Sequence, residues 1–117
     1  MIKKYTTEEE IKEGAKVVLK HRLHNTFGAM RGWCIELDSI ESVYIYFINA
    51  VPIAAMILRK FGNYNIGVFV NEQHRKMGYG SKLMNELSYA ERYNLRVCKY
   101  NEASTGFYNK TIPCTTP

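Results

Sequence analysis

The chain has 117 residues, 46% of them apolar and 13% aromatic, with a formal net charge of +5. That length fits one domain, 1–117, with a modest core and no room for a second, and the apolar share argues against a disordered chain. No run approaches the ~20 apolar residues of a membrane span, and Met1 to Glu10 carries lysines and glutamates where a secretory leader is apolar, so the expected place is the cytoplasm, away from membranes.

Thr7-Glu8-Glu9-Glu10 reads as a capping box and predicts a helix to about Arg22, with Ile11, Ala15 and Val18 inward. From Leu23 to Ser39 the pattern weakens: Gly28 and Gly32 interrupt it, and Met30, Trp33 and Ile35 suggest a short helix or an irregular loop packed across something. At Ser42 the period changes. Ser42 to Ile48, Pro52 to Arg59 and Tyr64 to Val70 are rich in β-branched and aromatic residues, with a turn at Asn49-Ala50 and a break at Phe61-Gly62-Asn63, and predict an antiparallel meander. A polar loop, Asn71 to Gly80, leads to a helix from about Gly80 to Tyr93, with Leu83, Met84, Leu87 and Ala90 inward and Lys82, Asn85, Glu86 and Glu91 toward water. Leu95 to Tyr100 then reads as a strand returning parallel to the third, followed by a last helix from Ala103 to about Lys110 and a tail, 111–117, with Pro113 and Pro117. The expected fold class is α/β: a mixed central sheet, an antiparallel meander followed by a parallel strand-helix-strand crossover, with helices on both faces and a core within 42–110.

Charge is unevenly placed. Residues 1–42 carry seven Lys/Arg against seven Asp/Glu, and 43–117 carry nine against four, so an anionic partner is expected to meet the later part. A polyphosphate cofactor, an acidic protein or a nucleic acid would each satisfy that excess. Cys34, Cys98 and Cys114 are odd in number and lack metal-ligand spacing, so reduced structural thiols are expected and no metal.

The loop Gln73-His74-Arg75-Lys76-Met77-Gly78-Tyr79-Gly80-Ser81-Lys82 holds R-x-x-G-x-G between a strand and a helix. Glycines at a helix mouth let backbone approach a ligand, and first-turn N–H groups with the helix dipole favour an anion such as a pyrophosphate. Arg75, Lys76 and Lys82 add positive charge. Neither G-x-x-x-x-G-K-[ST] nor G-x-G-x-x-G is present, which removes the P-loop and dinucleotide-fingerprint readings.

Val68-Phe69-Val70 followed by Arg75 to Met84 resembles motif A of the GNAT superfamily of N-acetyltransferases, whose signature is [QR]-x-x-G-x-[GA], and Asn101-Glu-Ala-Ser-Thr-Gly-Phe-Tyr108-Asn-Lys110 is similar to its motif B. The two motifs occur in the family's order and span about 42–110 with the strands. The resemblance implies a GNAT-like acyl-CoA N-acyltransferase fold that binds acetyl-CoA and has no metal. In that fold two core strands splay apart at the cofactor. Carried over by position, the backbone of Val68 and Val70, with Phe69 between them, meets the pantetheine arm and the acetyl carbonyl. The pyrophosphate then lies on N–H groups of Arg75, Lys76, Met77, Gly78, Tyr79, Gly80 and Ser81, Asn101 reaches the pantetheine from the opposite strand, and Tyr108 stands near the thioester sulfur.

The implied reaction is direct attack of a neutral amine on the thioester in a ternary complex. The developing oxyanion needs donors already in place, and the leaving thiolate needs a proton, for which a phenol with a pKa of ~10 serves; Tyr108 is the candidate general acid. No base is assigned. Where histone-type relatives place a Glu this chain has Tyr64, which would relay a proton through water; Glu36, Asp38, Glu41 and Glu72 read as surface charges, and His74 as a cofactor contact or an exposed side chain. After Lys110 the family usually adds a Gly-Phe step and two strands, whereas this chain reads Thr-Ile-Pro-Cys-Thr-Thr-Pro, so an exposed sheet edge is expected, open to a second copy as a homodimer, to the tail or to substrate. The alternatives are a GNAT-like module that holds acetyl-CoA without turnover and, ranked last, a nucleic-acid-binding domain using Arg75, Lys76, Arg92, Arg96 and Lys99. The acceptor class stays open between protein or peptide amines and small amines.

Overall fold

The computed structural model describes residues 1–21, 23, 37–60, 66–93 and 95. In chain order these form β1 (Ile2–Tyr5), α1 (Glu8–Lys20), β2 (Ile40–Ile48), β3 (Val51–Arg59), β4 (Ile66–Val70), α2 (Tyr79–Met84) and α3 (Tyr89–Tyr93), with single 3-10 turns at Leu37–Ser39 and Glu72–His74.

The three sequence-predicted strands form, and each lies antiparallel to the next in the order β1-β2-β3-β4. Asn49 and Ala50 have φ of 51° and 67°, so both central residues of the β2–β3 turn are left-handed, the conformation whose twist suits a tight hairpin. Strand β1 is an addition to the sequence reading. It pairs Ile2 with Tyr46 and Tyr5 with Val43 on the outer side of β2.

Alternation along the strands divides the core between two faces. Val43, Ile45, Ala55, Ile57 and Phe69 point to one face, where α1 covers them with Ile11 and Val18. Tyr44, Ala54, Met56 and Ile66 point to the other, against Leu83, Met84 and Leu87 from the α2–α3 segment. Helices therefore lie on both faces, as expected. Ile11, Ala15 and Val18 are buried as predicted, and Gly14 is buried with them. A Cβ on Gly14 would stand 3.0 Å from Tyr5 Cγ and 3.3 Å from Val43 Cβ, so the missing side chain is what lets α1 sit this close to β1 and β2.

The predicted single helix from Gly80 to Tyr93 is two helices. After Met84 the backbone tightens, with Glu86 N donating to Leu83 O and Leu87 N to Met84 O, both at 3.0 Å. Ser88 then starts α3 with a reciprocal box: Ser88 N donates to Glu91 Oε1 (3.0 Å), and Glu91 N donates to Ser88 Oγ (3.1 Å). The restart changes the helical phase. Ala90, expected inward, is consequently exposed, while Lys82, Asn85, Glu86 and Glu91 face water as read. The expected parallel strand, the last helix, the tail, the three cysteines, and Trp33, Glu36 and Tyr64 lie outside the described residues, Leu95 excepted, which packs half-buried on the α2 side. Among the described residues no helix is long and apolar enough to cross a membrane.

Candidate functional site

The site grows out of the end of β4. Between the pairs Tyr46↔Ala54 and Phe47↔Pro52, Ile53 is an extra residue, a β-bulge in β3. The carbonyl of Ile53 accepts from Asn71 N at 2.8 Å, which fixes the first residue beyond β4. Asn71 turns the chain: its side-chain Oδ1 accepts from Gln73 N (3.1 Å) and its carbonyl from His74 N (2.8 Å). Arg75 follows, and its Nε donates back to the carbonyl of Val70 at 3.4 Å.

Two residues beyond then take the left-handed region, Lys76 at φ 63° and Gly78 at φ 85°. For lysine this conformation carries a steric cost that a fixed loop must offset. Gly78 is the N-cap of α2 and gives no side-chain cap, and the first turn contains no acidic residue. The first bond of the helix is Lys82 N to Gly78 O at 3.0 Å, so the N–H groups of Tyr79, Gly80 and Ser81 have no acceptor within the helix. Among the described residues a Cβ on Gly78 would meet nothing within 4 Å, and glycine is favoured there by its φ. Left-handed backbone and amides without intrahelical acceptors suit a diphosphate.

Side chains surround this turn unevenly. The Tyr79 ring lies 4.9 Å from that of Tyr46, with His74 at 6.1 Å in an edge contact. Lys82 Nζ stands 5.2 Å from the Tyr79 centroid and 5.7 Å from that of Tyr46, a cation over two aromatic faces. Of the three cations expected around the loop, Lys76 is exposed, Arg75 is engaged with Val70 and Lys82 with the tyrosines. His74 is half-buried, and its Nδ1 is buried without a hydrogen-bond partner among the described residues. Val68 and Val70 are half-buried on the α2 face, whereas the Phe69 side chain is in the α1-side core, leaving only its backbone for a ligand. Met77 is 60% exposed at the tip of the loop, Ser81 is exposed and Gly80 is buried.

Thus the structure brings together Val68, Val70 and the run from Arg75 to Ser81. Asn101 and Tyr108 lie outside the described residues. Asp38, Glu41 and Glu72 are exposed, as expected of surface charges. Sequence reasoning passed over Ile53, Asn71 and Tyr46. An asparagine just after a β run is a turn signal that could have marked Asn71; the bulge at Ile53 and the aromatic contact of Tyr46 depend on strand register and had no local sign.

The fold has counterparts in known proteins. The fold is shared with a proposed acetyltransferase from Pyrococcus horikoshii (19% identity, TM-score 0.58), of whose chain this one spans 41% while itself being 94% covered. It is shared with an aminoglycoside N-acetyltransferase, AAC(6')-Iy, solved in complex with CoA (15% identity, TM-score 0.56, 95% of this chain and 89% of that one). A proposed acetyltransferase from Clostridium difficile 630 has it also (16% identity, TM-score 0.53, 94% and 87%). No curated protein sequence matches the chain. The acetyltransferase (GNAT) family pattern matches residues 6–112, which takes in every strand from β2 to β4, the loop and both later helices, and the chain belongs to that family.

Proposed function

We propose that the protein is an N-acetyltransferase that takes acetyl-CoA and passes its acetyl group to a primary amine. The observation that carries this reading is the turn between β4 and α2: Lys76 and Gly78 left-handed, three amides at the start of α2 without intrahelical acceptors, and no described atom within 4 Å of where a Gly78 Cβ would stand. These features fit the diphosphate of CoA, and the family membership supplies the acyl chemistry. In this reading the amides from Lys76 to Ser81 hold the diphosphate. The backbone of Val68 to Val70 aligns the pantetheine arm and offers a donor to the oxyanion as it forms.

Tyr108 is assigned the proton that the departing thiolate needs, and Asn101 the alignment of the arm from the facing strand. Both assignments rest on motif B in the sequence. A primary amine with a pKa of ~10.4 is almost wholly protonated at neutral pH, so the acceptor's neutral form must be drawn from a small population, and activity should climb with pH until Tyr108 loses its proton.

The test is incubation of the purified protein with acetyl-CoA and a panel of a polyamine, an aminoglycoside and lysine peptides, reading free thiol. Thiol release that depends on an amine and falls at least ~100-fold in Tyr108→Phe supports the full reading. Thermal stabilisation by acetyl-CoA without thiol release would leave a cofactor-binding module; neither effect would sink the assignment.

A further inference from the structure

We propose that Arg75 is a positioning residue: its guanidinium is a strut on the last carbonyl of β4 that sets the strand edge against which the pantetheine arm lies, and it is not a charge for the phosphates. This rests on the cofactor reading above and assigns one residue within it.

The strut acts on a single peptide unit. No described peptide bond is cis, so the C=O of Val70 and the N–H of Asn71 point in opposite directions. That N–H is taken by Ile53 O of β3 at 2.8 Å. The Val70 carbonyl therefore faces away from β3, on the outer side of β4, and Arg75 Nε meets it there at 3.4 Å. The two bonds clamp the peptide from both sides. They act where β4 passes into the loop, so a rotation of this one unit would tilt the outer edge of Val68 to Val70 relative to the amides of α2. A strand edge and a helix mouth that must grip two parts of one ligand need a fixed angle between them.

Arg75 is built for that task. Its backbone is itself tied to the preceding turn through Arg75 N to Glu72 O at 3.5 Å, and its side chain is half-buried. The donor in the strut is Nε, not the terminal nitrogens. Glutamine carries its Nε2–H the same number of bonds from Cα, whereas lysine has a methylene at that position and its charge one atom further out. Charge and strut can therefore be separated by substitution.

Wild type, Arg75→Gln and Arg75→Lys are titrated calorimetrically with acetyl-CoA and with ADP, which carries adenosine and a diphosphate but no pantetheine arm. Amide exchange across Asn71 to Gly78 is followed in the ligand-free proteins. Loss of a hydrogen bond from a charged donor corresponds to about tenfold in Kd, so Arg75→Lys should bind acetyl-CoA about tenfold more weakly while keeping ADP within about twofold, and Arg75→Gln should stay within about threefold of wild type for both. Exchange in the loop should quicken in Arg75→Lys only. The reverse order, with Arg75→Lys at wild-type affinity and Arg75→Gln about tenfold weaker for both ligands, would make Arg75 a phosphate charge and overturn the assignment, as would two variants indistinguishable from wild type. Wild-type protein that binds neither ligand would overturn the cofactor reading and this inference with it.

Discussion

At the start of α1 the chain supplies its own acceptors: Thr7 Oγ1 accepts from Glu10 N at 3.2 Å, Glu10 Oε1 accepts from Thr7 N at 3.0 Å, and three glutamates occupy the first turn. At the start of α2 the cap and first turn supply none, for Gly78 has no side chain to give and Tyr79, Gly80 and Ser81 bring no acid. The third helix follows the first, with Ser88 and Glu91 closing its end. Two helices thus satisfy their termini from within, while the one at the mouth of the R-x-x-G-x-G loop leaves its first amides without an acceptor of its own. A glycine cap that costs α2 some stability makes sense where an anion from outside completes it.

The sharpest way to break this contrast is to give α2 the kind of end that α1 has. Gly78→Asp places a carboxylate over the three amides, and aspartate tolerates a left-handed φ better than most side chains. Capping offsets part of the strain that a side chain meets at this φ, so the melting temperature should fall only slightly. Repulsion of a bound diphosphate should weaken acetyl-CoA by about 100-fold, or about 2.8 kcal/mol, in a calorimetric titration. Affinity within threefold of wild type would show that the diphosphate lies elsewhere. The opposite intervention is on α1, where Gly14→Val must displace the Tyr5 ring and Val43. Such overpacking should remove about 1–3 kcal/mol of stability in urea unfolding and leave the Kd of the folded protein unchanged.

These two positions also mark how far the sequence could be read. Gly78 was legible because the constraint is local: a glycine at a helix mouth, among cations, after a β run. The role of Gly14 was not, because it depends on β1. That strand hides in the sequence, since its two apolar residues, Ile2 and Tyr5, fall on opposite faces of the sheet and so show no alternation, and the lysines between them look like an exposed tail. The meander was visible because each of its strands carries its own run of apolar, mostly β-branched or aromatic residues. The break between α2 and α3 was also written locally, in Ser88-x-x-Glu91, but the apolar spacing through Leu83 and Leu87 masked it. Arg75 looked like one more cation in the loop; only the register that puts Ile53 beside Asn71 shows what its side chain holds.

Smaller effects test whether the closed ends are purely structural. Thr7→Ala removes one half of the α1 box and should cost about 1 kcal/mol of stability with no change in cofactor affinity. Acid provides the mildest probe. Hydrogen bonds from the Thr7 and Thr6 backbone hold the Glu10 carboxyl below its ordinary 4.5, and those from the Ser88 backbone and hydroxyl do the same for Glu91. A carboxylate whose folded pKa lies below its unfolded one adds stability that is complete above the unfolded value and is lost as pH falls through the folded value. The melting temperature should therefore begin to decline below about pH 4.5 and keep falling until both carboxyls are protonated. Gln at both positions keeps an oxygen to accept the same amides but removes the titration, so the double variant Glu10→Gln/Glu91→Gln should decline less steeply over that window. Equal slopes in the two proteins would mean that the acid sensitivity lies in other carboxyls and that the boxes at α1 and α3 contribute through geometry alone.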